Sequence, residues 1–175
     1  MKTKNKLTDC GTKIQSYRKI IFGTMAIVCM VLIFSFSART GDTSTEDSHH
    51  IGKWIGQTFV LDFAEWSVEE QEKFAARIDH PIRKSAHATE YAVLGMLLLG
   101  TFVDHKVVGW KRFAIPWSIA TLYAATDEFH QLFVPDRSGQ IKDVCIDSAG
   151  ALVGIIVLLG ICWGFGLVRQ GRKTV

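Results

Sequence analysis

One uninterrupted apolar segment constrains this chain more than any other feature. Residues 20–38 read IIFGTMAIVCMVLIFSFSA, nineteen residues without a charged side chain. A helix of that length crosses the hydrocarbon core of a bilayer, which is about 30 Å thick. A cleaved signal peptide has a shorter apolar core, and Phe36 would fit poorly at the third position before a cut after Ala38. We therefore expect a retained membrane-spanning helix.

The composition agrees with a membrane protein. Hydrophobic residues make up 48% of the 175 residues and charged residues only 21%. The mean hydropathy is +0.18, whereas that of a soluble domain of this size is usually negative. The apolar content excludes a disordered chain, and the four cysteines are too few for a disulfide scaffold. The net charge of +3 is too weak to support nucleic-acid binding, so we expect no nucleic-acid partner.

Three further segments are long enough to cross the bilayer, although each carries charge near one end. They cover residues 86–103, 113–134 and 143–168. If the N-terminus lies inside, the inner segments are 1–19, 104–112 and 169–175, and the outer segments are 39–85 and 135–142. Lysine and arginine are more than twice as dense in the inner segments as in the outer segments. This asymmetry is what the positive-inside rule expects. The sequence therefore predicts an all-α integral membrane bundle of four transmembrane helices, with a basic N-terminus and a short C-terminal tail that are both cytoplasmic.

The long outer connection, residues 39–85, is predicted to be partly helical. It opens with TGDTSTEDSHH, a polar stretch without periodicity that predicts a loop. Ser67 and Glu70 then fit a capping box that begins a helix through SVEEQEKFAARI, and we expect this helix to end before Pro81. Trp54, Phe59 and Trp66 are among the aromatic residues of this connection. They suit an amphipathic segment at the membrane interface or, equally, a helix packed against the bundle.

All five acidic residues of the predicted spans fall near the outer ends of their helices. They are Glu90, Asp127, Glu128, Asp143 and Asp147. The same ends carry Lys84, His87, Tyr91, His130 and Gln131. At about 100° per residue, Lys84, His87 and Tyr91 share one helix face. Further along the fourth helix, Gly150 and Gly154 form a small-residue pattern that permits close helix packing. We therefore expect residues that are remote in sequence to meet at one depth.

The predicted turn between the third and fourth spans, VPDRSGQIK, holds Arg137 and Lys142 over these polar faces. A guanidinium binds a carboxylate or a phosphate through two parallel hydrogen bonds. Arg137 therefore suits the binding of an anionic ligand. An ordinary salt bridge to Asp127, Glu128 or Asp143 is the alternative.

Three kinds of chemistry fit this set of polar residues. Histidines and carboxylates together suit a divalent metal that activates water, but HATE lacks the HEXXH spacing of zinc hydrolases, so no metal ligand is assigned. A pocket for an anionic head group at the outer leaflet is the second reading, with Arg83, Lys84 and Arg137 meeting its oxygens. A structural ion-pair network is the third, because mutual pairing alone would lower the cost of burying these charges.

The stretches RKSAHATEYAVLG and TDEFHQLFVPDRSGQIKDVCIDSAGALVG resemble the VanZ-like family of bacterial membrane proteins. The resemblance implies a small multi-pass protein of the bacterial cytoplasmic membrane, and the family's namesake is associated with resistance to the glycopeptide teicoplanin. Matching the pattern residue by residue picks out Lys84, His87, Glu90, Tyr91, Asp127, Glu128, Gln131, Arg137, Asp143 and Gly150. Two positions depart from the commonest form: Asp136 stands where glycine is frequent, and Asp147 where asparagine is frequent.

Together these observations predict an outward-facing polar site that binds or modifies a cell-envelope or lipid-linked component. The candidate catalytic residues are His87, Glu90, Asp127 and His130. The candidate ligand-binding residues are Lys84, Tyr91, Glu128, Gln131, Arg137, Asp143 and Asp147. A carboxylate or imidazole would act as general base if the protein is an enzyme, whereas a binding protein would use the same residues without turnover. The sequence identifies the lipid bilayer as a partner but neither a cofactor nor an oligomeric state.

Overall fold

The computed structural model describes residues 2–102 and 109–164, with side chains from residue 13 onward. The described residues form five α-helices and one 3-10 turn. The helices are α1 Lys2–Ser37, α2 Gly41–Phe59, α3 Val68–Phe102, α4 Lys111–Gln131 and α5 Ile141–Gly164, and the turn is Phe63–Glu65. The prediction of an all-α chain is confirmed. The predicted tail 169–175, residues 104–108 of the predicted inner loop, and the ends of the second and fourth predicted spans lie outside the described residues.

Two of the described helices are long and apolar enough to cross a membrane. They are Lys13–Ser37 in α1 and Ile141–Gly164 in α5, each with a mean hydropathy of 2.4 in its best window. Only 17% of the α1 window is buried inside the protein. A core helix of a soluble protein buries most of its apolar surface, whereas a large exposed apolar surface indicates contact with lipid. The other two predicted spans lie within α3 and α4, and they stay predictions.

Helix α3 forms the centre of the bundle, because each of the other four helices contacts it. Its N-terminal half, which is the outer half in the predicted topology, packs against α2, and its apolar half packs against α1, α4 and α5. Tyr91, Leu94 and Leu98 of α3 are buried together with Ala124 of α4 and Ala151 of α5. The small residues on the neighbouring helices let those helices approach the larger side chains of α3.

Glycines bring α3 and α5 into close contact. A Cβ atom on Gly150 would overlap the carbonyl oxygen of Ala88, and one on Gly154 would overlap that of Ala92. From the α3 side, a Cβ on Gly95 would overlap the Ala151 carbonyl oxygen. The predicted role of Gly150 and Gly154 in close helix packing is confirmed, since any side chain at these positions would push the two backbones apart.

The prediction of a loop in the polar stretch after α1 is wrong, because this stretch forms the first half of α2. The buried residues of α2 include Ser48, Gly52 and Gly56, which recur every four residues. This stripe of small residues packs against the outer half of α3, where Gly52 faces Ala75. A search for large apolar residues at helical spacing misses such a helix, because its buried face is made of small residues.

The helix that begins at the capping box does not end before Pro81, so that prediction is wrong. The capping box itself is confirmed: the Glu70 amide donates to Ser67 Oγ at 3.3 Å, and the Ser67 amide donates to Glu70 Oε2 at 2.9 Å. Helix α3 then continues through Pro81 to Phe102. A proline inside a helix costs about 3 kcal/mol. Packing against α2 before the proline and against α1 and α5 after it offsets this cost.

Candidate functional site

Helix α3 places three predicted site residues on one face at its outer half. Lys84 forms a salt bridge with Asp143 in the first turn of α5. His87 follows one turn later, and its Nδ1 atom lies 3.7 Å from Glu90 Oε2. That separation is longer than a hydrogen bond. The structure therefore brings the Lys84 and Asp143 charges into contact and leaves His87 and Glu90 adjacent but not bonded.

Helix α4 contributes a chain of buried hydrogen bonds. Gln131 Nε2 donates to Asp127 Oδ2 at 3.3 Å and to Glu128 Oε1 at 3.2 Å. Glu128 Oε2 accepts a hydrogen bond of 3.0 Å from the backbone amide of Gln140. Ser37 Oγ, at the end of α1, donates to Asp127 Oδ2 at 2.6 Å. These bonds fix the two carboxylates of α4 and link them to α1 and to the α4–α5 turn.

His130 is placed away from the other histidine. Its ring packs against Phe34 of α1, with 4.4 Å between the ring centroids. It lines neither of the two clefts described below. The structure thus places His87 and Glu90 on α3 and Asp127 on the neighbouring helix α4. The His130 ring packs against α1 instead. The catalytic role assigned to these four residues stays a prediction.

The least exposed side chains of the cluster are Tyr91, Asp127 and Asp147. The side chains of Tyr91, Asp127 and Asp147 are buried, with 0%, 2% and 2% of their surface exposed. They come from α3, α4 and α5, so the three helices meet at these polar residues. Below them, Leu94 and Ala151 begin the apolar core.

Arg137 connects the α4–α5 turn to the start of α2. Its Nε donates to the backbone oxygen of Arg39 at 3.1 Å, and its Nη2 donates to Ser44 Oγ at 2.8 Å. Among the described residues the guanidinium forms no salt bridge. The alternative prediction of a salt bridge from Arg137 to Asp127, Glu128 or Asp143 is therefore wrong. The side chain is anchored by neutral acceptors and keeps its charge without an acidic partner.

Two clefts open beside Arg137. The outer cleft has a volume of about 120 Å³, and its lining includes His80, Arg83, Lys84, His87, Arg137 and Asp143. The lateral cleft has a volume of about 210 Å³, and its lining includes Phe36, Ile51, Ile82, Arg83, His87 and Arg137. Both clefts contact Arg83, His87 and Arg137, so these three side chains form the wall between them.

Six buried side-chain atoms of the cluster have no hydrogen-bond partner within the described protein. They are His87 Nδ1, Glu90 Oε2, Tyr91 OH, Asp127 Oδ1, His130 Nδ1 and Asp147 Oδ2. Each unpaired buried polar atom costs about 1–3 kcal/mol. Native proteins keep few such atoms, and those that persist often mark a site of function. Six of the eleven candidate site residues chosen from the sequence therefore have a buried polar atom whose hydrogen bonding the fold leaves incomplete.

The geometry of a metal site is not found in the part of the chain that the structure describes. No three histidine, cysteine or carboxylate side chains converge there as metal ligands would. Cations dominate the lining of the outer cleft instead, since Arg83, Lys84 and Arg137 face two carboxylates, Asp136 and Asp143. This charge suits an anionic group better than a metal ion.

Sequence reasoning missed several residues that complete the site. Ser37 was part of the FSFS end of the apolar run, Ser44 lay in the stretch predicted to be a loop, and Gln140 acts through its backbone amide. A serine in the last turn of an apolar span was the one available signal, because a buried hydroxyl requires a partner. Nothing in the sequence indicated which partner that would be.

Comparison with known families identifies the chain. The sequence model described as VanZ/LLP1 matches residues 22–164, which include all the candidate site residues. The chain belongs to the VanZ/LLP1 family. The predicted resemblance to VanZ-like proteins is confirmed. Searches of the curated proteins and of the solved structures returned no match.

The structure explains one departure of this VanZ/LLP1 chain from the commonest sequence pattern. Asp136, at a position where glycine is frequent, has a φ angle of 59°. This left-handed conformation favours glycine, and aspartate is among the few other residues that adopt it readily. Aspartate therefore fits this turn, in which the Gly41 amide donates to the adjacent Pro135 oxygen at 3.2 Å.

Proposed function

We propose that this VanZ/LLP1 protein spans the bacterial cytoplasmic membrane four times and binds an anionic group of a cell-envelope component at its outer surface. The two apolar helices, α1 and α5, support membrane insertion. The distribution of basic residues supports an orientation with both termini in the cytoplasm. In this orientation the α4–α5 turn, both clefts and the start of α2 face the outside of the cell.

The unpaired buried atoms are the observation that carries this proposal. A network that served only to neutralise buried charge would pair its members, because an unpaired buried polar atom is costly. Here Lys84 and Asp143 do form such a pair. Glu90, Asp127 and Asp147 each keep one carboxylate oxygen without a partner. We interpret these atoms as groups that a ligand or a reacting water satisfies.

The cationic wall between the clefts indicates the charge of the ligand. Arg83 is paired with Asp79 through a 2.6 Å contact, whereas Arg137 has no acidic partner among the described residues. A guanidinium whose charge is not neutralised by a carboxylate is suited to a phosphate or a carboxylate of a ligand. A lipid-linked precursor of the cell envelope carries such groups at the outer leaflet.

A catalytic version of the proposal uses the same geometry. His87 and Glu90 both line the lateral cleft, and the separation of 3.7 Å between their side chains closes to a hydrogen bond with a small rotation. An imidazole paired with a carboxylate is a suitable general base for hydrolysis or group transfer. The sequence-based prediction adds Asp127 and His130 to this centre, although the His130 ring packs against Phe34 and lines neither cleft. The binding version requires the same residues but no turnover.

The family name links the proposal to a phenotype. We expect loss of the site to change the susceptibility of the cell to glycopeptide antibiotics, which bind components of the envelope. A purely structural role for the polar cluster is the competing proposal, and the Lys84–Asp143 pair favours it locally. The two proposals differ in what happens when a site residue is replaced without loss of the protein from the membrane.

The deciding experiment measures membrane level and glycopeptide susceptibility in the same strains. The test variants are His87→Ala, Glu90→Gln and Asp127→Asn, and His50→Ala is the matched control because His50 is an exposed histidine on α2. We expect the test variants to lose the phenotype while their membrane levels stay within twofold of wild type. Normal phenotypes at normal levels, or levels that fall in parallel with the phenotype, would favour the structural role.

A further inference from the structure

The lateral cleft is lined by both polar and apolar side chains, and these two groups of residues are named its polar end and its apolar end. Its polar end contains Arg83, His87 and Arg137, which it shares with the outer cleft. Its apolar end contains Phe36 in the last turn of α1, Ile51 of α2 and Ile82 of α3. Phe36 and Ile51 are each 47% exposed, so their surfaces are available to a ligand. A cleft that bound only a soluble anion would gain nothing from this apolar wall.

Phe36 connects the apolar end of the lateral cleft to the membrane. It belongs to the uncharged segment 20–38, whose side chains Val31, Leu32 and Phe34 are about half exposed on the surface of the bundle. Exposed apolar side chains on a spanning helix face the acyl chains of the bilayer. The cleft therefore continues the lipid-facing surface of α1 toward the cations at the outer boundary.

The charges of the lateral cleft favour an anion at its polar end. Three arginines line it, Arg39, Arg83 and Arg137, against two carboxylates, Asp47 and Glu90. Arg39 is paired with Asp47 at 2.6 Å. Glu90 lies beside His87, with 3.7 Å between Glu90 Oε2 and His87 Nδ1. Arg137 is left with its charge unpaired, at the point where both clefts meet.

We infer that the lateral cleft receives a phosphate-bearing lipid from the outer leaflet, with the phosphate on Arg137 and Arg83 and the first methylene groups on Phe36, Ile51 and Ile82. This inference rests on the proposed function and specifies its ligand. A volume of about 210 Å³ is smaller than the usual site for a whole drug-sized molecule. The cleft accommodates the head group and the start of one chain, and the rest of the lipid stays in the bilayer.

Binding assays on the full-length protein in a phosphate-free detergent test this inference. The three probes are phosphatidic acid, diacylglycerol with the same acyl chains, and inorganic phosphate. We expect saturable binding of phosphatidic acid and binding at least tenfold weaker for the other two probes. Diacylglycerol lacks the group that Arg137 recognises, and inorganic phosphate lacks the chain that the apolar wall contacts.

Matched variants separate the two ends of the cleft. Arg137→Gln removes the unpaired cation, and Lys142→Gln removes an exposed cation that lines neither cleft. Ile51→Gln changes the apolar wall, and Ile141→Gln changes an apolar residue that is 85% exposed outside both clefts. We expect a loss of at least tenfold in phosphatidic acid affinity for the first member of each pair and a change below twofold for the second.

The possible outcomes are distinct. Equal binding of inorganic phosphate and phosphatidic acid, with no effect of Ile51→Gln, would overturn the lipid ligand but leave the proposed anion site intact. Equal binding of diacylglycerol would overturn recognition of the phosphate. If Arg137→Gln fails to accumulate, Arg137→Lys replaces it, since a lysine keeps the charge but not the guanidinium fork. Unchanged phosphatidic acid affinity in both Arg137→Lys and Ile51→Gln would also overturn the inference. The glycopeptide phenotypes described above test the proposed function separately.

Discussion

Ser37 and Asp127 are ninety residues apart in the chain, and the Ser37 hydroxyl donates a hydrogen bond of 2.6 Å to the Asp127 carboxylate. Both side chains are buried. The bond joins the last residue of α1 to the polar cluster. It fixes one oxygen of Asp127, while the other oxygen has no partner within the described residues. Helix α1 thus contributes to the polar cluster and is also one of the two candidate membrane spans.

Replacing Ser37 by alanine should destabilise the protein. Asp127 would lose its shortest hydrogen bond and become a more poorly satisfied buried carboxylate, which costs about 2 kcal/mol. The midpoint of thermal unfolding in detergent measures this effect. Ser35→Ala is the control, because the exposed Ser35 hydroxyl donates only to the Val31 carbonyl of its own helix. A midpoint that fell equally in both variants would show that the contact with Asp127 contributes nothing.

Removing the charge of Asp143 and removing the charge of Asp147, one turn further along α5, should have different effects on the stability of the protein. Asp143→Asn breaks the salt bridge to Lys84 and leaves a partly buried cation without its partner, at a cost of about 3 kcal/mol. Asp147→Asn removes a carboxylate that has an unpaired oxygen, and asparagine has the same shape. We expect membrane level and thermal stability to fall in the first variant and to be kept or raised in the second. The reverse order would mean that the charge of Asp147 is required.

The contact between α3 and α5 should tolerate no added methyl group at Gly154. Alanine there would press its Cβ against the backbone oxygen of Ala92, which cannot move aside as a flexible side chain would. We expect Gly154→Ala to cost about 1–3 kcal/mol. Gly160→Ala is the control on the same helix, since no atom lies within 4 Å of its added Cβ. This second variant should be neutral or slightly more stable, because alanine favours a helix. Similar thermal midpoints for the two variants would contradict the close packing.

The topology can be tested by labelling single cysteines with an impermeant maleimide. In a background with the native cysteines replaced by alanine, Ser138→Cys should react in intact cells. Lys111→Cys should react only after the membrane is opened, because the four-span topology puts the α4–α5 turn outside and the start of α4 inside. Both residues are exposed, so access to the protein surface does not limit the reaction. Labelling of Lys111→Cys in intact cells would contradict the orientation and, with it, the outward-facing site.

The hairpin of α2 and α3 should lose stability in acid. A hydrogen bond from Lys53 lowers the pKa of Glu72 from its ordinary value of 4.5. Because the folded state has the lower pKa, the contribution of Glu72 is present above about pH 4.5 and is lost as the pH falls through the folded value. We expect the difference in thermal midpoint between wild type and Glu72→Gln to shrink between about pH 6 and about pH 3. A difference that stays constant over this range would contradict the role of the Lys53–Glu72 pair. The effect should be small, since this pair is exposed.

Part of the fold follows from the chain alone. The uncharged segment 20–38 requires a long apolar helix, because a bilayer offers no partner for an unpaired backbone. Ser67 and Glu70 mark the start of α3, since a capping box is a local arrangement that needs no tertiary contact. The glycine pair of α5 predicts close helix packing for a similarly local reason. The family pattern and helical spacing also identified Lys84, His87, Glu90 and Asp127 before their neighbours were known.

Only the tertiary structure decided where those residues find partners. Helix α2 exists because its stripe of small residues meets α3, and α3 continues through Pro81 because it is packed on both sides of the proline. The bonds from Ser37 to Asp127 and from Arg137 to Ser44 join residues that are ninety or more positions apart. Such contacts depend on how whole helices pack, and packing follows from the sum of many weak interactions that no single stretch of sequence encodes. Local chemistry fixed the identity of the site residues, and helix packing fixed which of their atoms are bonded and which remain available.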